Sequence, residues 1–485
     1  MFIAKENREV NTEGNSWDAD DIPFDLPAET VNKLVDKLTN KKDQSTELNY
    51  VKYIKSNPNL RIAENGEFTI AYEWKGSHWG KMTDAQFQRK AWDWLKMNEP
   101  KRATATMARS LHASSLLELP ILPKAPECTV IPLQDKWLVV EEDGQFRVME
   151  PNRDWGVTYE INAHSHMGQN FGNYEPKDLA EDSWFSRFLK VSLPNLEERA
   201  LVQEYCGYTL LNDVRFQVAQ VWVGNGRNGK SVLLKIMEKL HSKVGSISLD
   251  NLSGFGLTPI MDASLVISSE TPKRGIDEQA LKQIISGDPV TVEFKFKDAF
   301  TYSPTAKLLI ACNRFPHMTD DSNGIWRRLQ IINWGVNLTD EQEVPNIDKK
   351  IIDGEIKLVL DWCLQGLSRL LRRGAFNLPQ STQIRKEDEK MNSNNILAFI
   401  DDYGLDISVG ASTYKHRIYE KYEEYCQSNG LSAFRGNEFW KRMTQKFPTM
   451  QAKRKPDSSG NRLRAVNLTF GNHPVINVLG GKNHV

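Results

Sequence analysis

An α/β architecture is what the sequence predicts, and three observations predict it. The stretch VGNGRNGKS, Val223 to Ser231, fits G-x-x-x-x-G-K-[ST] and lies between an apolar run and a segment of helical spacing. Three further short apolar runs follow, separated by helical or turn segments. The composition, 40% apolar with 13 tryptophans, is that of a folded chain. At 485 residues the chain is too long for one core, so two to four domains are expected.

The elements follow in order. Residues 1–29 carry two basic and eight acidic side chains and read as a disordered acidic tail, either solvated or a partner-binding peptide. Residues 30–127 read mainly as helices, ended by prolines at 120, 123 and 126. From 128 the pattern turns to strands, with Asp143-Gly144 marking a hairpin, and 183–212 returns to helix. Together 30–200 make an N-terminal α+β region ahead of a core over 201–375. The polar stretch 376–395 reads as a solvated helix or linker. Residues 396–485 form a C-terminal helical unit with a β-wing and a short tail.

The glycine stretch carries the most specific chemistry. Backbone N–H groups of such a loop cradle phosphate oxygens, so Gly224, Asn225, Gly226, Arg227, Asn228, Gly229, Lys230 and Ser231 are the candidate nucleotide-binding residues. Lys230 would neutralise the β- and γ-phosphates, and the Ser231 hydroxyl would hold Mg²⁺. Upstream, FQVAQVWV reads as a buried strand; downstream, Val232, Leu233, Ile236, Met237 and Leu240 mark a helix. ATP and Mg²⁺ are therefore the expected cofactors. The strand SLVISSE ends in Glu270, a candidate for polarising water directly or through the metal; a solvated strand-end glutamate is the plainer alternative. The strand in AKLLIACNRFP ends at Asn313, whose amide suits a γ-phosphate contact. Arg327 and Arg328 precede the next strand, where a guanidinium would stabilise a transferring phosphoryl group.

Two basic features point to nucleic acid. In VTVEFKFKDAF, Lys295 and Lys297 share one face and Phe294 and Phe296 the other. That pattern suits a hairpin gripping a strand of DNA, with Phe296 stacking, or an amphipathic strand with its lysines in water. Residues 411–485 hold thirteen basic and five acidic side chains although the whole chain has a net charge of −1. Lys453, Arg454, Lys455, Arg462 and Arg464 crowd a hairpin around Asp457-Ser458-Ser459-Gly460, either a wing on duplex phosphates or a solubilising surface.

Taken in order, GNGRNGKS, SSE, LKQIISGDPVTVEFKFK, LLIACNRFP and WRR closely resemble superfamily 3 DNA helicases of the phage and plasmid replication branch, which includes the poxvirus primase-helicases. The resemblance is strongest over 205–335. It implies an AAA+-type P-loop ATPase core, a helicase-associated region before it and a winged-helix-like domain after it. It also implies ATP hydrolysis at the interfaces of a hexameric ring and 3′→5′ movement on single-stranded DNA. Carried onto this chain, Glu270 activates water, Asn313 senses the nucleotide, and Arg327 or Arg328 reaches into the neighbouring subunit's site. Lys295 and Lys297 would then face the central channel. The same parts would serve an ATP-switched initiator or loader that does not unwind. A small-molecule kinase would need none of the lysine and arginine features.

Other classes are disfavoured. No apolar run approaches 18 residues, so no membrane span is expected, and no signal-peptide pattern opens the chain. Five scattered cysteines fit the reducing cytoplasm of a bacterial host. Asp18 and Asp20 lie in the polar tail, and His164 and His166 lack paired acids, so no primase active site is expected. The expected partners are single-stranded and forked DNA, further copies of the chain, and a separate primase or single-strand-binding protein.

Overall fold

The computed structural model describes residues 45–65, 68–269, 276–295, 298–316, 318, 323–393, 395–429 and 433–471. The acidic tail at 1–29 lies outside them. The chain divides into two compact units. One holds the described residues through Ile62 together with Met82–Pro120. It contains the helices Thr46–Lys55, Asp84–Asn98 and Ala105–Leu116. Thr83 and Gln86 close a reciprocal capping box on the second helix. Tyr50 meets Trp94 edge-on at 5.2 Å in the shared core.

The chain passes to the other unit within β1 (Leu60–Asn65). There β2 (Phe68–Trp74) pairs antiparallel with β3 (Trp79–Lys81). A four-stranded antiparallel meander follows: β4 (Thr129–Pro132), β5 (Trp137–Val140), β6 (Phe146–Met149) and β7 (Gly172–Tyr174). The turn between β5 and β6 is the expected Asp143-Gly144 turn, with Gly144 at φ +77° and its N–H donating to Glu141 O at 3.0 Å.

The centre of this unit is a parallel sheet. Its strands are β8 (Ala219–Val223), β9 (Val244–Ser246) and β10 (Leu265–Ser268), then, beyond a separate antiparallel hairpin of β11 (Val290–Val292) and β12 (Phe300–Tyr302), β13 (Lys307–Cys312) and β14 (Leu329–Asn333). The order across the sheet is β14-β8-β13-β10-β9, with every pairing parallel. Because helices cover both faces, β8 and β13 are buried at every residue, which is why they read as unbroken apolar runs. Trp222, Leu309 and Ile332 face a core shared with the helices Trp184–Ser192, Leu196–Tyr208, Lys230–Leu240 and Ile347–Arg373. Val221, Ile310 and Ile331 face the opposite core, which includes Leu281 and Ile284 of the helix Glu278–Ser286.

The helices Leu196–Tyr208 and Ile347–Arg373 pack backbone against backbone. A Cβ on Gly207 would stand 2.3 Å from Cys363 O, and one on Gly366 would stand 2.4 Å from Gln203 O. Beside this crossing the buried carboxylate of Glu204 pairs with Arg369 at 2.7 Å and Arg373 at 2.5 Å.

The hairpin is shorter than the alternating pattern predicts. Pairing stops at Val292 and Phe300, and Phe294 stacks on Phe300 with centroids 5.8 Å apart. Packing of both phenylalanines against the core, rather than an extended ladder, uses the apolar half of that pattern.

The C-terminal part has its own core of Ile396, Phe399, Ile418, Tyr422, Phe439 and Met443. Three helices, Asn395–Asp402, Lys415–Ser428 and Gly436–Lys446, surround it. Its strands are β15 (Asp406–Ile407), β16 (Thr413–Tyr414), β17 (Ala452–Pro456), β18 (Arg462–Val466) and β19 (Leu468–Thr469). β15 pairs with β19, and β16-β18-β17 form an antiparallel sheet. No helix among the described residues is long and apolar enough to cross a membrane. The five cysteines are free.

Candidate nucleotide-binding site

The loop between β8 and the helix Lys230–Leu240 is shaped by left-handed residues. Gly226, Arg227 and Gly229 have φ of +98°, +47° and +82°. Only Gly fits at 229 in any case, since a Cβ there would lie 2.1 Å from Ser192 Oγ. Asn228 is buried and staples the loop: its Nδ2 donates to Trp334 O at 2.9 Å and its Oδ1 accepts from Lys230 N at 3.2 Å. The Lys230 ammonium is buried too, donating to Gly224 O at 3.1 Å and Cys312 O at 2.6 Å. Burial holds its pKa below the usual lysine value. Ser231 is exposed in the first helical turn. Arg227 turns away from the loop, pairing with Glu343 at 2.8 Å and with Asp340, while its carbonyl accepts from Leu338 N at 2.8 Å.

Asn313 follows β13, the strand next to β8, and is exposed at the same C-terminal end of the parallel strands. Glu270 lies outside the described residues. Its strand β10 is the next neighbour of β13. The two arginines differ. Arg328 is tied down within its own chain, with Nε donating to Ser286 Oγ and Nη1 to Gly324 O, both at 2.7 Å. Arg327 is exposed.

Two cavities flank the loop. One, of about 630 Å³, runs along Gly226 to Val232. Its far wall is apolar: Trp184, Phe188 and Val191 from the helix Trp184–Ser192, and Val344, Pro345 and Ile347 from the segment after β14. The other, of about 350 Å³, lies at Gly224, Asn225 and Arg314, against Arg385 and Glu389. Asn313 lines both. The first cavity is walled by apolar side chains and the second by charged ones. Neither wall was among the residues picked out in the sequence, where 184–192 read only as a helix and 376–395 as a linker or solvated helix. No sequence signal marked the first. None existed for the second.

The basic candidates are placed in two regions. Lys295 is exposed beyond β11, while Phe296 and Lys297 lie outside the described residues. In the C-terminal hairpin, Arg454 stands directly opposite Arg464, and Arg462 is two residues along on the same face. Lys453 and Lys455 occupy the other face, and every residue of β17 is exposed. Asp457 fixes the turn by accepting from the N–H groups of Ser459 and Asn461 at 2.9 and 2.8 Å. Among the described residues no three His, Cys, Asp or Glu side chains cluster as metal ligands.

Residues 222–328 match a family of unknown function (DUF5906). "Putative helicase 184R" of Invertebrate iridescent virus 6 is 26% identical over 134 residues, 24% of this chain and 14% of that protein. "Putative helicase 121R" of Invertebrate iridescent virus 3 is 26% identical over 181 residues, 34% of this chain and 19% of that protein. The chain spans less than a fifth of the length of these curated relatives. A solved structure, the apo NrS-1 C-terminal region, superposes with a TM-score of 0.49 at 12% identity, covering 88% of this chain and 100% of that one. The chain is thus a distant relative of viral proteins named as helicases.

Proposed function

We propose that the chain is an ATP-driven DNA helicase of the superfamily 3 type, serving replication of a phage, plasmid or mobile element. The observation that carries this reading is the convergence of Lys230 and Asn313 at the C-terminal ends of β8 and β13, between two cavities. In this reading the base lies against Trp184 and Phe188, and the phosphates run along the loop toward Gly224. Lys230 exchanges its two carbonyl partners for phosphate oxygens. Ser231, exposed in the first helical turn, fits a Mg²⁺ ligand, and Glu270 would supply the carboxylate. The ion would neutralise phosphate charge when bound. Asn313 orients the terminal phosphate or the attacking water.

Of the two arginines, Arg327 is the better candidate for reaching a neighbouring subunit, because Arg328 is engaged at Ser286 and Gly324. The oligomer in this reading is a hexameric ring moving 3′→5′ on single-stranded DNA, with Lys295 and Lys297 toward its channel. The C-terminal helices and basic hairpin act as a winged-helix-like DNA-binding domain, and primer synthesis falls to a separate protein.

The test is ATP-dependent unwinding of a forked duplex, with Lys230→Ala as control and mass photometry on the same sample. Unwinding lost in Lys230→Ala, with a ring-sized particle, is the expected result. DNA-stimulated ATP hydrolysis without unwinding would replace the helicase by an initiator or loader. An absence of ATP hydrolysis with and without DNA would overturn both.

A further inference from the structure

The helix Gln380–Ser393 packs against β14, the strand beside β8. Its residues Arg385 and Glu389, one turn apart, line the 350 Å³ cavity with Gly224, Asn225, Asn313 and Arg314. Arg385 Nη2 pairs with Glu389 Oε1 at 2.7 Å. Its Nε is buried with no hydrogen-bond partner. One N–H of the guanidinium is therefore unpaired, in a residue that lines a polar cavity at the beginning of the glycine loop. Glu389 is close enough to the end of β13 for its charge to act on the Cys312 thiol, and the Cys312 carbonyl holds Lys230. Arg314 and Arg385 outnumber Glu389 as charges lining this cavity, so it favours an anion.

We propose that Arg385 contacts the terminal phosphate of a bound nucleoside triphosphate, exchanging its bond to Glu389 for phosphate oxygens and so distinguishing tri- from diphosphate. This rests on the reading of the glycine loop as a nucleotide site. Phosphate suits the exchange because its oxygens accept from a planar fork in the same bidentate manner as a carboxylate. The exchange also has a route outward. The next helix, Asn395–Asp402, packs against Gln380–Ser393 and belongs to the part that carries the basic hairpin. A residue that reads the terminal phosphate is thus mounted on the stalk of the C-terminal domain.

The test is equilibrium binding of ATPγS and of ADP, with Mg²⁺, to the full chain and to Arg385→Ala, Arg385→Lys and Glu389→Gln, each first shown to be folded by circular dichroism. Arg385→Ala is expected to weaken ATPγS by roughly 10- to 100-fold, the range of a lost charge-assisted hydrogen bond, and to leave ADP within about twofold. Glu389→Gln is expected to tighten ATPγS, because a competitor for the guanidinium is weakened. Equal weakening of both nucleotides, or no change in either, would overturn the assignment while leaving the nucleotide site intact. If Arg385→Ala fails to fold, Arg385→Lys decides by the same ATPγS-to-ADP ratio. Wild-type protein that binds neither nucleotide, as Lys230→Ala would, overturns the nucleotide site and this assignment together.

Discussion

The ammonium of Lys230 donates to the carbonyl of Cys312 at 2.6 Å, joining the glycine loop to the end of the adjacent strand. A second bond to Gly224 O closes the loop on itself. The lysine that would meet phosphate is thus also a structural clamp when no phosphate is present.

Lys230→Ala therefore removes more than a phosphate contact. It strands the buried Gly224 carbonyl, at a cost of about 1–3 kcal/mol, while the Cys312 carbonyl keeps the Gly224 N–H at 3.2 Å. The expected result is a lower urea midpoint without nucleotide and no rise in Tm on adding ATP and Mg²⁺. A variant as stable as wild type would show that water satisfies the Gly224 carbonyl.

Gly229→Ala should be destabilising as well as inactive. The residue has φ +82°, and the added methyl would meet Ser192 Oγ at 2.1 Å and Phe188 at 2.8 Å. Overpacking of this kind costs about 1–3 kcal/mol. Chemical denaturation measures the first effect and nucleotide binding the second. The two should fall together, because the same contact positions the loop against the apolar wall.

His241 makes the fold acid-sensitive. Its ring is buried between Thr209 Oγ1 at 3.0 Å and Ser264 Oγ at 2.9 Å. Burial first, then the charge of Lys307, push its pKa down from 6.5 to about 3. Between those values the unfolded chain binds a proton that the native chain excludes. Stability present above pH 6.5 is therefore lost as pH falls toward 3, by up to roughly 1.4 kcal/mol per pH unit. Urea midpoints at pH 7, 6, 5 and 4 should decline less steeply in His241→Gln than in wild type.

The C-terminal hairpin should bind phosphate without reading sequence. Arg454 and Arg464 face the same side, opposite one another. Replacing both with Gln should weaken duplex binding uniformly across sequences. It should also reduce the slope of log affinity against log salt by about 2, close to 0.9 per lost phosphate contact. An unchanged slope would make this face a solubilising surface.

Much of the core was legible in the sequence, and the reason is physical. A parallel sheet covered on both faces leaves apolar runs at β8, β10, β13 and β14, and a phosphate loop leaves glycines at fixed spacing. What was not legible is what the fold brings from a distance. Arg385 and Glu389 sit in a segment whose polarity reads as solvated, and only the packing of that helix against β14 carries them to Gly224. Motif spacing singles out Lys230 and Ser231 but is silent on the variable positions. It does not show that Asn228 holds Trp334 O or that Arg227 holds Glu343.

The glycine crossing of Gly207 and Gly366 tolerates no added volume. A Cβ at either position would lie 2.3 or 2.4 Å from a carbonyl of the other helix. The Glu204, Arg369 and Arg373 ion pairs fasten the same crossing. A side chain added at either glycine therefore has no room and must drive the two helices apart, pulling on those ion pairs as it does so.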